Sequence, residues 1–210
     1  MTVVFVGGSR HVARLSAEVC RRLDRIVEQN FRVVVGDANG ADRAVQAYLQ
    51  ACHYRQVEVF CSGNTTRNNV GNWPVRNVAV AKPSKRDRAF YTAKDREMTV
   101  EANFGLMIWD GKSTGTLMNI VRLIQQKKKA VLYITKQEKF VEFLGADGDM
   151  LTLRSLCPPE LRDELDAEFT PLPTDAPQIP LISETSSPDV EPRKKRARRR
   201  SAAFSRNAST

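Results

Sequence analysis

Residues 104–116 read Phe104-Gly105-Leu106-Met107-Ile108-Trp109-Asp110-Gly111-Lys112-Ser113-Thr114-Gly115-Thr116. The first six are almost uninterrupted apolar residues, the composition of a strand covered on both faces, as in a parallel sheet. The next seven break that run with two glycines, three hydroxyls, an acid and a lysine. From Thr116 to Gln126 the apolar residues then recur at helical spacing. A buried strand that passes through a Gly-rich turn into a helix is the repeating unit of an open α/β sheet.

The same unit recurs on the N-terminal side. Val3–Val6 is a short β-branched and aromatic run that stops at Gly7-Gly8. Behind it, Leu15, Val19, Leu23 and Ile26 lie at helical spacing with Arg21, Arg22, Asp24 and Arg25 between them. Arg32–Val35 predicts a second strand ending at Gly36, followed by a helix from Asn39 to Cys52, and Val57–Phe60 predicts a third strand. Arg88–Asn103 reads as a helix, Phe104–Trp109 as the fourth strand and Ala130–Ile134 as the fifth. This alternation implies right-handed crossovers, and hence an α/β fold with a three-layer open parallel sheet of about five or more strands. Phe140–Leu144 and Pro159–Glu168 read as short helices packed on that body. The chain therefore divides into a domain at 1–135, an extension at 136–170 and a Pro/Ser-rich tail at 171–210 whose composition predicts disorder.

The 210 residues are 41% apolar and 27% charged, enough for a real core. The formal charge of +9 is unevenly placed. Arg193, Lys194, Lys195, Arg196, Arg198, Arg199 and Arg200 stand together without an acid, and subtracting these seven from +9 leaves +2 on the rest of the chain. Such a run reads as a nuclear-localisation or nucleic-acid patch, binding phosphates non-specifically, or as a solubilising extension. In a eukaryotic host it would be a nuclear address; in a bacterium or its phage it could only tether the chain to anions. No stretch approaches the ~18–20 apolar residues of a membrane span. Met1–Val6 has no basic region before its apolar run, so a soluble, cytoplasmic protein is expected. Cys20, Cys52, Cys61 and Cys157 show no paired spacing, and His11 and His53 are the only histidines. Neither a metal site nor a disulfide framework is expected.

In an open parallel sheet, ligands sit beyond the carboxyl ends of the strands, where Gly-rich turns lead into helix N-termini. Three turns here fit. They are Gly7-Gly8-Ser9-Arg10, then Gly36-Asp37-Ala38-Asn39-Gly40-Ala41-Asp42, then Asp110 to Thr116. Glycines let the backbone approach a ligand, helix N-termini offer N–H groups, and Ser9, Ser113, Thr114 and Thr116 add hydroxyls. Arg10 and Lys112 add positive charge. Each turn alone could simply close a tight connection; three at one edge describe a phosphate-binding rim.

Two familiar motifs are excluded. A P-loop needs four residues between its first glycine and the Gly-Lys pair. Here five residues, Leu106 to Asp110, separate Gly105 from Gly111, and they belong to the strand itself. The first turn lacks the G-x-G-x-x-G spacing of a dinucleotide-binding fingerprint.

Taken together, GGSR after the first strand, GDANGAD after the second and WDGKSTGTLMN after the fourth resemble the SLOG superfamily. That group of Rossmann-like folds joins the LOG phosphoribohydrolases with the DprA/Smf proteins. Arg67-Asn68, Trp73 and the segment Tyr91 to Met98 look most like its YspA-like branch. The resemblance covers residues 1–135. It implies a nucleotide or nucleotide-derived ligand at this rim, no firmly implied cofactor, and a possible homodimer. LOG members hydrolyse the N-glycosidic bond of nucleoside monophosphates with a PGGxGTxxE segment. Asp110 to Asn119 aligns with it, which gives Gly115 and Thr116 the phosphate role. Asn119 falls where the Glu belongs, and an amide cannot act as a general acid or base.

Other carboxylates could substitute. Asp110, at the end of a strand, is the best-placed candidate to stabilise an oxocarbenium-like state. Asp42 could face the ligand or cap its helix. Lys94 and Asp95 are adjacent, so on one helix at most one of them points directly into the cleft. The segment from Cys61 to Lys85 is long for an idle connection. Its Arg67 and Asn68 are expected to contact ligand as part of a lid, Trp73 is left open, and Met98 is expected in the core. The favoured reading is a nucleotide-binding or sensor protein. The alternatives are a nucleoside-monophosphate N-glycosidase and a protein that binds nucleic acid through its basic tail.

Overall fold

The computed structural model describes residues 1–80 and 88–169, so the basic tail lies outside the described residues. In chain order the elements are β1 (Val3–Gly8), α1 (Ala17–Glu28), β2 (Arg32–Gly36), α2 (Ala41–Ala51), β3 (Val57–Ser62), β4 (Val75–Val78), α3 (Arg88–Glu101), β5 (Phe104–Trp109), α4 (Thr114–Gln125), β6 (Lys129–Ile134), β7 (Lys139–Phe143), α5 (Asp149–Leu156) and α6 (Pro159–Phe169). The seven strands form one sheet in the order β4-β3-β2-β1-β5-β6-β7. All neighbours are parallel except β7, which runs antiparallel to β6.

Alternation along the strands creates the three layers. Val4, Val6, Val33, Val35 and Ile108 face one side, where they meet Val19 and Leu23 of α1 and Val45 and Leu49 of α2. Phe5, Val34, Met107 and Trp109 face the other, against Met98 of α3, Leu117 and Ile120 of α4, and Leu165 of α6. Successive side chains point to opposite faces of a strand, so an all-apolar sequence serves both layers at once. Helix α1 starts at Ala17 rather than Leu15 because the Ser16 hydroxyl accepts a hydrogen bond from the Val19 N–H at 3.3 Å, which marks the cap.

Three expectations need correction. Phe140–Leu144 is not helical: Lys139–Phe143 is strand β7. After β6 the chain reverses through a tight turn that places Glu138 at φ 50° and pairs Ile134 with Lys139. Five residues are too few to separate a period of 2 from one of 3.6. This strand also makes the sheet mixed rather than wholly parallel. Finally, the long connection after β3 contains β4, a half-exposed strand whose Arg76 and Asn77 hid it from a search for apolar runs. Trp73, just before it, is buried, and its indole N–H donates to the Tyr54 carbonyl at 2.9 Å, which packs this segment onto the body. Arg76 lies over the Phe60 ring and pairs with Glu58 and Glu101. Met98 is fully buried, as expected. Among the described residues no helix is long and apolar enough to cross a membrane.

Candidate functional site

Strand order reverses between β1 and β5: β2, β3 and β4 extend to one side, β6 and β7 to the other. At such a switch point the connections leave in opposite directions and a crevice opens beyond the strand ends. A cavity of about 610 Å³ occupies that position.

One end is built from the turn after β5 and the start of α4. Asp110 Oδ1 accepts from the N–H groups of Lys112 (2.9 Å) and Ser113 (2.8 Å) and from the Ser9 hydroxyl (3.1 Å). Burial alone would raise the Asp110 pKa; those donors outweigh it and hold the carboxyl below its ordinary value. Gly111, at φ 83°, lets the chain fold around this carboxylate. Ser113 is the N-cap of α4 but makes no side-chain capping bond. The first N–H groups of a helix have no partner within it. Those of Thr114, Gly115 and Thr116 belong to residues that line the cavity, and a Cβ at Gly115 would meet nothing within 4 Å. Arg10, Lys112, Gly7 and Gly8 line the same space. Asn119 does too, with its amide oxygen occupied by the Arg122 guanidinium at 2.8 Å.

Ser9 has a different role from the one expected of it. It is fully buried, its Oγ 3.2 Å from Thr116 Oγ1, and it accepts the Asp110 N–H at 3.1 Å. Its carbonyl accepts the Ala41 N–H at 3.1 Å. Ser9 thus knits the three turns together and stands behind the cavity wall. Gly40 and Ala41 stand behind it as well, closing the turn against Arg10.

The other end lies at β2 and α3. Lys94 is buried, with Nζ 2.6 Å from Asp95 Oδ1 and 3.6 Å from Asp42 Oδ2. All three line the cavity. Adjacent on one helix, Lys94 and Asp95 both reach it because the long lysine stem curls back to its neighbour's carboxylate. Burial pushes the Asp42 pKa up to about 6, with Lys94 opposing and Asp95 adding to the rise. For Lys94 burial works to lower the pKa, but Asp95 and Asp42 outweigh it and the net shift is upward. Asp42 does not cap α2; Gly40 holds that position, and Asp42 Oδ2 instead accepts the Ala38 N–H at 3.3 Å. Gly36 makes room for the pair, since a Cβ there would lie 2.3 Å from Asp42 Oδ2 and 2.4 Å from Lys94 Nζ.

Asp37 is spent on Arg67. The guanidinium donates to both carboxylate oxygens, at 3.0 and 2.6 Å, and the Arg67 backbone N–H adds a third bond at 3.1 Å. Burial opposes ionisation of Asp37, yet these bonds hold its pKa below the usual carboxylate range. Asn68 donates to the Asp37 carbonyl at 2.8 Å, so it supports the loop, while Arg67 lines the cavity and lies 4.9 Å from the Tyr91 ring centre. This part of the expected lid is therefore pinned to the end of β2; residues 81–85 of that segment lie outside the described residues.

Sequence reasoning singled out none of the wall residues Phe5, His11, Ala38, Tyr91 and Thr92. A signal existed for Tyr91: positions 91, 94 and 95 share one helical face. His11 directly follows the first turn, which places it at the rim. Among the described residues no cluster of three or more His, Cys, Asp or Glu side chains is arranged to hold a metal ion.

Comparison with protein-family models gives no match, and neither does comparison with curated proteins. Among solved structures, DNA processing protein A from Helicobacter pylori, described for its single-stranded DNA binding mode, is similar over 80% of this chain and 80% of its own, with a TM-score of 0.50 and 12% identity. At that identity the likeness is one of fold, the Rossmann-like α/β sheet whose order and switch point are described above.

Proposed function

We propose that the cavity binds a nucleotide or nucleotide-derived ligand, its phosphate at the N-terminus of α4 beside Arg10 and Lys112. The observation that carries this reading is the open first turn of α4, with Gly115 unobstructed, facing a cavity at the switch point of the sheet. Free N–H groups and the positive end of a helix favour an anion. A volume of about 610 Å³ lies within the range of small-molecule sites. Binding is favoured over glycosidic hydrolysis because Asn119 stands where the LOG segment has its acid, and an amide cannot transfer a proton.

Calorimetric titration with a panel of nucleoside mono- and diphosphates tests this. At least one is expected to bind and to raise the melting temperature. Gly115→Glu puts a carboxylate where the phosphate would sit, so affinity should fall by about 10–100-fold or more, the value of a charged hydrogen bond. Folding should be unharmed, because an acid in the first turn of a helix suits its dipole. A wild-type protein indifferent to the whole panel refutes the proposal.

A second reading, single-stranded nucleic acid as the ligand, is favoured by the described binding mode of the Helicobacter pylori protein. The basic run at Arg193–Arg200 supplies a separate electrostatic route to the same partner. Deleting residues 171–210 is expected to abolish most DNA affinity in a gel-shift titration while sparing small-ligand binding. DNA affinity that survives the deletion would move the interface onto the folded body.

A further inference from the structure

The two ends of the cavity oppose each other electrostatically. The start of α4, with Arg10 and Lys112, favours an anion, whereas the end at β2 and α3 sets two carboxylates against one ammonium. Lys94 Nζ lies 2.6 Å from Asp95 Oδ1 and 3.6 Å from Asp42 Oδ2, and all three residues line the cavity. With both acids ionised the triad carries one net negative charge.

The lysine is not shared equally. Asp95 takes its hydrogen bond and keeps 17% of its own side chain exposed, while Asp42 stands further off with 7% exposed. Of two carboxylates, the one more deeply buried and less closely paired is the first to take up a proton. The charges on the neighbouring elements do not reverse that order. Asp37, at the end of β2, adds to the rise of the Asp42 pKa to about 6, and both Asp37 oxygens are already bound by Arg67 from the segment after β3. From β1, Asp42 meets Gly7, which brings no charge.

Gly7 also relates the triad to the anion seat. A Cβ built on it would lie 3.4 Å from Asp42 Oδ1, and two residues further on Ser9 Oγ lies 3.2 Å from Thr116 Oγ1. Two residues of extended chain span about 7 Å, which puts Asp42 on the order of 10 Å from the first turn of α4. Unit charges at that separation, in a medium of effective dielectric constant about 20, shift an equilibrium roughly tenfold.

We infer that the Asp42–Lys94–Asp95 triad is a proton switch for the anion seat: with both acids ionised it opposes an anion in the cavity, and a proton taken up by Asp42 cancels that opposition. Anion binding and proton uptake are therefore coupled, and mild acid tightens the site. This rests on the phosphate seat proposed above and adds its regulation.

The test is a calorimetric titration of the full chain at low ionic strength with sulfate, a dianion whose charge is the same at pH 7.5 and pH 5.0. Sulfate is expected to bind about 3–10-fold more tightly at pH 5.0. Repeated at pH 6 in two buffers of different ionisation enthalpy, the titration should show proton uptake, as the reciprocity of linked binding demands. Asp42→Asn should bind sulfate at pH 7.5 as tightly as the wild type does at pH 5.0, with no further change on acidification. His11 lines the same cavity, so His11→Gln is the companion variant and should keep the pH dependence. Equal affinities at the two pH values, or binding without proton uptake, overturn the inference and leave the seat standing; neither measurement needs a variant to fold. A pH dependence that disappears in His11→Gln, or persists in folded Asp42→Asn, overturns the assignment to the triad. Sulfate that binds at neither pH overturns the seat and the inference together.

Discussion

Lys94→Met is expected to destabilise the fold by about 3–5 kcal/mol at pH 8, the cost of removing one partner of a buried ion pair. Methionine fills the same volume, so the loss measures charge rather than packing. Asp42 and Asp95 would face each other across the position of the missing ammonium, and Asp42 is already strained by burial. The pH dependence follows from the sign of that shift. Asp42 rises from 3.8 to about 6 on folding, so between those values the native state holds a proton that the unfolded chain does not. The penalty is complete above about pH 6 and is relieved as pH falls toward 3.8. Lys94 is the group that lowers the Asp42 pKa most, so its removal carries that titration higher still. The gap between variant and wild type should therefore shrink on acidification, even though Asp37 and Asp110, whose pKa values are lowered, make both proteins less stable there. Urea unfolding of both proteins at pH 8 and pH 5.5 measures this gap. A gap that stays constant, or one below about 1 kcal/mol, would show that Lys94 does not compensate these carboxylates.

Gly40→Ala is expected to cost about 3 kcal/mol or more through two independent effects. Gly40 sits at φ 81° and ψ −129°, a region open essentially to glycine alone, where other residues lose roughly 1–3 kcal/mol. A Cβ there would also lie 2.2 Å from the Arg10 carbonyl oxygen and 2.3 Å from its carbon. Those are backbone atoms and cannot swing aside. Relief would require the turn after β1 to part from the start of α2, breaking the bond from the Ala41 N–H to the Ser9 carbonyl. Because Ser9 also holds Thr116 and Asp110, the damage should reach the end of the cavity formed by the start of α4. Denaturant unfolding gives the stability loss and a ligand titration the loss of the site. Gly115→Ala is the control: it has open space around it and a favourable helical position, and should cost little or nothing.

The layered architecture was legible because β1, β2, β3, β5 and β6 are apolar runs, the first four of them closing on a glycine. What the sequence hid were the two peripheral strands. Outer strands are half-exposed, so β4 carries Arg76 and Asn77 and β7 carries Lys139 and Glu142, and neither shows a run long enough to betray its period. For the site, residues of two glycine turns, Gly7 and Gly8 with those from Lys112 to Thr116, line one cavity. Spacing could not reveal which polar groups were already spent. Ser9, Asp37 and Asn68 look like ligand contacts in the sequence, but each is satisfied by a partner at least 29 residues away. Only tertiary structure displays such pairings.

The antiparallel β7 and the helix behind it bear on where the chain can be cut. A fragment ending at residue 135 would strip β6 of its outer neighbour and bare the N–H and C=O groups from Ala130 to Ile134. It would also lift Leu165 and Phe143 from the cluster that holds Leu117 and Ile120. An unpaired sheet edge beside uncovered apolar surface invites self-association. A fragment meant to fold on its own therefore has to keep β7 and α6.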